Sequence, residues 1–218
     1  MAIQRQRSTL LWVGVIILVL IGTASVIRRA IFLKALLAAG HAISSSPMDV
    51  GFAQHPLLTI MHITPGLLFM LFSPFQFVER IRQGRPRLHR WMGRFLLVDG
   101  GIVAISALWM GFIMPIGGPN ESAAIAVFAS LFLFALWNAF RHIRRCEFAE
   151  HREWMIRGFA LALAVSTVRP IVGVFFATSR FTHLTPHEFF GTAFWLGFTL
   201  QLIAAEVYIR RRSGSALA

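Results

Sequence analysis

Four histidines and three arginines carry the chemistry that this chain offers. His89 and His151 sit in near-copies of one cassette, Leu88-His89-Arg90-Trp91-Met92-Gly93-Arg94 and His151-Arg152-Glu153-Trp154-Met155-Ile156-Arg157. The two histidines are 62 residues apart, about one pair of membrane-crossing helices with its loops. A second match reads His62-x-x-x-Gly66 and His187-x-x-x-Gly191, with Gln76 and Gln201 each ten residues beyond the glycine. Two imidazoles from facing helices are what bis-histidine ligation of a b-type haem requires, and arginines pair with the haem carboxylates. His62, His89, His151 and His187 are the candidate iron ligands. Arg169 and Arg94 or Arg157 are the candidate carboxylate partners. The competing explanation of the cassettes is anchoring, because Trp and Arg at a helix entrance are common at the membrane surface.

Arg169 poses its own question. It lies 18 residues, five helical turns, beyond His151 and so on the same helix face. An arginine inside an apolar span needs an anionic partner or water. Asp99 and Glu206 both fall toward the opposite side of the membrane. A bound anion, carbonyls freed by Pro170 or Pro65, or a local water defect would each answer. His62, Gly66, Phe69, Ser73, Gln76 and Arg80 recur at four-then-three spacing and line one helix face. Small and polar residues there turn that face toward other helices or a cofactor rather than lipid.

The elements that must position these groups are legible from the apolar runs. Of the 218 residues, 56% are hydrophobic and only 14% are charged, well below the quarter usual in soluble domains. Spans are read at about 9–27, 56–78, 92–114, 121–140, 155–178 and 188–208, each long enough to cross ~30 Å of hydrocarbon as a helix. In that solvent the backbone satisfies its own polar groups, which favours helices, and the alternation of a membrane barrel is absent. The fold class is therefore all-α, a polytopic bundle of six helices in one integral membrane domain over residues 1–218. The matching offsets are consistent with three helical-hairpin repeats, and they place spans two and six in similar environments.

Charge sets the orientation. With both termini inside, inner segments hold 16 of the 21 basic residues and outer segments four, namely Arg28, Arg29, Lys34 and Arg180. That asymmetry places both termini in the cytoplasm. Met1 to Arg7 and the apolar run after it are read as an uncleaved first span rather than a signal peptide, because the run is long and no small-x-small site follows. Residues 28–55 are long for a connector, and Ile31–Ala39 is either an interfacial helix or an extension of the first span.

Several classes fall away. The net charge of +12 comes from arginines in short segments between spans, so anionic lipid, not nucleic acid, is the expected partner. A single cysteine, Cys146, excludes an internal disulfide. His187-Glu188 lacks the second histidine of a zinc-protease helix, and no glycine-rich phosphate loop or local nucleophile motif is present.

The motifs His55-Pro56, His62-x-x-x-Gly66, Pro74-Phe75-Gln76-Phe77, Leu88-His89-Arg90-Trp91-x-Gly93-Arg94, His151-Arg152-x-Trp154-Met155-x-Arg157 and Arg169 together resemble the predicted bacterial membrane-protein family called domain of unknown function 2306. The likeness runs from about 55 to 175, or on into the sixth span. It departs at Ser73, where glycine often precedes the proline, and at Phe95-Leu96. The resemblance implies a multi-pass inner-membrane protein and supplies no activity. The leading expectation is thus a haem b protein moving electrons between membrane partners, with cytochrome b561-like logic. The alternative is a small-solute transporter, or an assembly factor for a membrane complex, in which Arg169 and His62 bind an anionic or protonatable solute or brace helices. An intramembrane metal enzyme using histidine with Asp99 or Glu206 is a third reading.

Overall fold

The computed structural model describes residues 2–38 and 47–214, all organised around helices. Long helices are α1 (Ala2–Ala38), α3 (Pro56–Phe72), α5 (Pro86–Ile113), α6 (Gly118–Arg144), α7 (Phe148–Thr182) and α8 (Pro186–Gly214). Two short ones, α2 (Pro47–Gln54) and α4 (Glu79–Gly84), lie between them. Among the described residues six helices are long and apolar enough to cross a membrane: Thr9–Ala38, Pro56–Phe77, Pro86–Ile113, Gly118–Arg144, Phe148–Thr182 and Pro186–Arg212. The protein is an all-α polytopic bundle.

The helices outrun the apolar segments that announce them. At 1.5 Å per residue, α1 is about 55 Å long, well beyond ~30 Å of hydrocarbon. Ile31 to Ala38 continues the first span; Ala39 lies outside the described residues. Nothing between Arg28 and Ala38 breaks a helix, since the stretch has no Gly or Pro. Both cassettes fall inside the first turns of α5 and α7 rather than in the preceding loops. Pro86 starts α5 at a position where its missing N–H is not needed. The second span ends differently from a simple helix. Past Pro74 the chain tightens into a 3-10 turn, Ser73–Phe77, and α4 follows.

Sequential long helices pack side by side, α3 on α5, α5 on α6, α6 on α7 and α7 on α8, while α6 also meets α8. α1 closes the bundle against α3 and α7. Gly22 permits that contact, because a Cβ there would lie 2.3 Å from Met70 Sδ and 2.5 Å from Ser166 Oγ. Phe69, Leu96, Phe128, Phe132, Leu136 and Leu161 form the central core, with Phe69 edge-on to Phe132 at 5.4 Å. A second cluster at the end of the bundle away from the cassettes joins Val168, Val172, Phe189, Phe190 and Ala193. The outer faces carry exposed Leu10, Ile16, Leu20, Ile105, Trp109, Phe134, Val174 and Leu200, the surface that contacts lipid.

Candidate functional site

A cavity of about 310 Å³ opens inside the bundle, walled by α1, α3, α5, α6, α7 and α8. Its floor is apolar: Phe69, Met70, Phe128, Phe132, Leu161 and Phe198. Its upper part is polar and holds Arg28, Arg29, His62, Glu121 and Arg169. The volume lies at the small end of the ~300–1,000 Å³ usual for ligand pockets. An apolar chamber with a few convergent charged groups is the common form of such a site.

Each polar group is placed by a distinct local feature. Arg169 stands on α7 about 27 Å along the axis from His151, so it belongs to the end of the bundle away from the cassettes. It sits deep among the helices and yet its side chain is exposed, which is explained by the cavity it lines. Among the described residues Arg169 makes no ion pair or hydrogen bond. Glu121 is the carboxylate close enough to feel its charge. Glu121 is occupied elsewhere, however, since its Oε2 accepts the Gly117 N–H at 2.6 Å and its carboxylate also accepts from Ile116. That contact ties off the α5–α6 connection, which lies against α8 where Gly191 leaves room for Asn120 and Glu121.

Arg29 is held differently. Its guanidinium pairs with Asp49 of α2 at 2.5 Å and lies 3.7 Å from the centre of the Phe52 ring. Both partners sit on α2, so this short helix caps the cavity through one arginine. Arg28 lines the cavity beside it and makes no ion pair among the described residues.

His62 faces the cavity from α3, and its Nδ1 lies 3.0 Å from Ser106 Oγ. The Ser106 hydroxyl is within donating distance of Ile102 O (2.7 Å) and Val103 O (3.0 Å). With that proton committed, Ser106 Oγ is an acceptor. The hydrogen-bond network therefore assigns the proton of His62 to Nδ1 and leaves a lone pair on Nε2.

The other expected residues lie elsewhere. His89 and His151 are at the cassette end, close enough to interact electrostatically. His151 Nδ1 donates to Ala139 O of α6 at 2.8 Å, which leaves Nε2 for another bond, as in metal-ligating histidines. His89 Nδ1 is buried without a partner among the described residues, as is Gln76 Nε2. His187 is exposed in the first turn of α8, close to Gly118. The matching His-x-x-x-Gly offsets thus lead to different depths, because α3 begins six residues before His62 and α8 one residue before His187. Arg157 is bound to Glu206 at 2.6 and 3.2 Å and approaches Glu153. Arg94 is exposed and stacks on Trp91 at 5.4 Å, matching Arg157 on Trp154 at 4.7 Å. The two cassettes therefore repeat one contact, a Trp with an Arg three residues on, which suits a membrane-surface anchor. Asp99 is buried on α5 with Oδ2 unpartnered among the described residues.

Residues 59–209 match the family described as a predicted membrane protein, DUF2306. The chain belongs to this family. The matched segment contains both cassettes, His62 and Arg169, and therefore most of the cavity wall; α1 and α2, which supply Arg28, Arg29 and Asp49, lie before it. No curated protein matches the chain, and no solved structure does.

Sequence reasoning singled out His62 and Arg169 but not their neighbours. Arg28 and Arg29 read as topology charges at the end of a span, and become site residues because α1 does not stop there. Glu121 follows the Gly117-Gly118-Pro119-Asn120 break and was visible as an acid at the start of an apolar run.

Proposed function

We propose that this protein binds a small amphipathic anion in the cavity and transports it across the bacterial inner membrane. The observation that carries the reading is Arg169: a guanidinium that forms no ion pair among the described residues, with Glu121 the nearby carboxylate, at the polar head of a chamber with an apolar floor. An unpaired charge in that setting is costly and is retained where it meets a ligand. Arg28 adds positive charge at the same level, and the aromatic floor suits an apolar body. The cassette end is cytoplasmic on the arginine distribution, so the cavity lies toward the outer leaflet.

The test uses the purified full chain in nanodiscs and decanesulfonate, a permanent anion with a short apolar body. Calorimetric titration is expected to give saturable binding that Arg169→Gln weakens at least tenfold, and proteoliposomes are expected to accumulate the probe. Equal binding of decyltrimethylammonium, or binding indifferent to Arg169, sinks the reading.

A second reading keeps the haem at the cassette end. It is favoured by the Nδ1 bond of His151 to Ala139 O, which leaves Nε2 unused by that bond, and by the nearness of His89, close enough to interact electrostatically. There His89 and His151 would hold the iron, while Arg157 is already engaged by Glu206 and Arg94 by Trp91. Expression with haem supplied, followed by a visible spectrum, tests it. A missing Soret band, or one unchanged in His89→Ala/His151→Ala, ends this reading.

A further inference from the structure

Resting on the anion-binding reading, we infer that His62 takes up a proton together with the anion, so that the natural ligand is a weak organic acid carried as an anion plus a proton. The inference starts from the hydrogen-bond network. The Ser106 hydroxyl lies 2.7 Å from Ile102 O, its Oγ receives the His62 Nδ1–H, the Val103 carbonyl also lies within hydrogen-bonding reach of the ring, and the imidazole lines the cavity. His62 is thus an imidazole on the wall of the chamber whose head carries Arg169, with its second ring nitrogen not taken by Ser106.

The charges around His62 make the proton conditional on the anion. From α1 come Arg28 and Arg29, the latter paired with Asp49 of α2. From α7 comes Arg169, whose charge reaches His62. α6 supplies Glu121, α5 supplies the neutral Ser106 hydroxyl and the Val103 carbonyl, and α8 lines the cavity with phenylalanines. Three arginines against two carboxylates leave the empty chamber positive. Adding a proton to His62 in that field is opposed by Coulomb repulsion. An anion on Arg169 removes the surplus and offers a negative oxygen to an imidazolium. The balance is simple: Nε2 gains the proton, Nδ1 keeps its bond to Ser106, and the anion keeps its charge. Glu121 is the poorer acceptor, because its carboxylate is tied to the backbone N–H groups of Gly117 and Ile116.

Decanesulfonate does not titrate, so any proton taken up on binding resides on the protein. A weakly buffered titration of the full chain at pH 6.5 is expected to show uptake of about half a proton or more per bound sulfonate, and affinity about tenfold or more weaker at pH 7.5 than at pH 5.5. His62→Gln keeps a donor for Ser106 and cannot titrate; it is expected to bind with no uptake and a flat pH profile. Glu121→Gln is expected to retain the uptake. Arg169-dependent binding without proton uptake in the wild type overturns the inference and leaves the anion site standing, as does uptake that persists in His62→Gln or vanishes in Glu121→Gln. Absence of Arg169-dependent binding overturns the anion site itself.

Discussion

Replacing Arg169 by leucine separates a ligand-binding arginine from one that braces helices. An arginine at the centre of a span costs roughly 2.5–3.5 kcal/mol on insertion scales. Arg169 stands about 6 Å past the midpoint of α7, but it faces an open chamber, which makes its cost smaller, and among the described residues it holds no ion pair or hydrogen bond whose loss would offset the gain. Arg169→Leu is therefore expected to leave thermal stability unchanged or to raise it by about 1 kcal/mol, the usual exchange between stability and function. Binding moves the other way. A hydrogen bond to a charged group contributes about 1.5–3 kcal/mol, which at ~1.4 kcal/mol per factor of ten is a loss of roughly 10- to 150-fold in decanesulfonate affinity. Thermal unfolding in detergent and calorimetry on the same preparation measure both. A stability loss above ~2 kcal/mol would refute the reasoning, because it would mean that Arg169 holds α7 to its neighbours.

Gly66 lines the cavity and a Cβ there meets nothing within 4 Å, so Gly66→Leu is expected to fill the chamber and abolish probe binding while unfolding at a temperature close to that of the wild type. Gly197 is the opposite case: a Cβ would come 2.6 Å from Val168 Cγ2 and 3.1 Å from the Val168 backbone nitrogen, so Gly197→Ala should separate α7 from α8 and cost about 1–3 kcal/mol in denaturation. Cys146 is exposed in the α6–α7 connection and is the sole cysteine, so a membrane-impermeant maleimide is expected to label it in inverted vesicles and not in intact spheroplasts; the reverse pattern would invert the topology.

Much of the fold was legible in the sequence because the bilayer leaves few choices. Six apolar runs gave six spans, and the inward face of the second, from His62 to Gln76, followed from its periodicity alone. Helix ends were not legible, because polar residues at a membrane surface can continue a helix or leave it. That is why α1 runs on through Arg28 and Arg29, and why both cassettes start inside helices. The site was half legible. His62 and Arg169 stood out as polar groups in apolar runs. Their meeting across α3 and α7, the cap formed by Asp49 and Phe52, and the different depths of His62 and His187 depend on how helices distant in sequence pack, which periodicity does not encode. The cassettes drew attention through repetition, and the Trp91–Arg94 and Trp154–Arg157 stacks give that repetition a structural cause.

The most direct measurement is a calorimetric titration of the wild type and Arg169→Gln with two probes of equal body and opposite charge. The account predicts saturable binding of decanesulfonate to the wild type, at least tenfold weaker in the variant, with no saturable binding of decyltrimethylammonium. Equal binding of both probes, or equal decanesulfonate binding by both proteins, would contradict it.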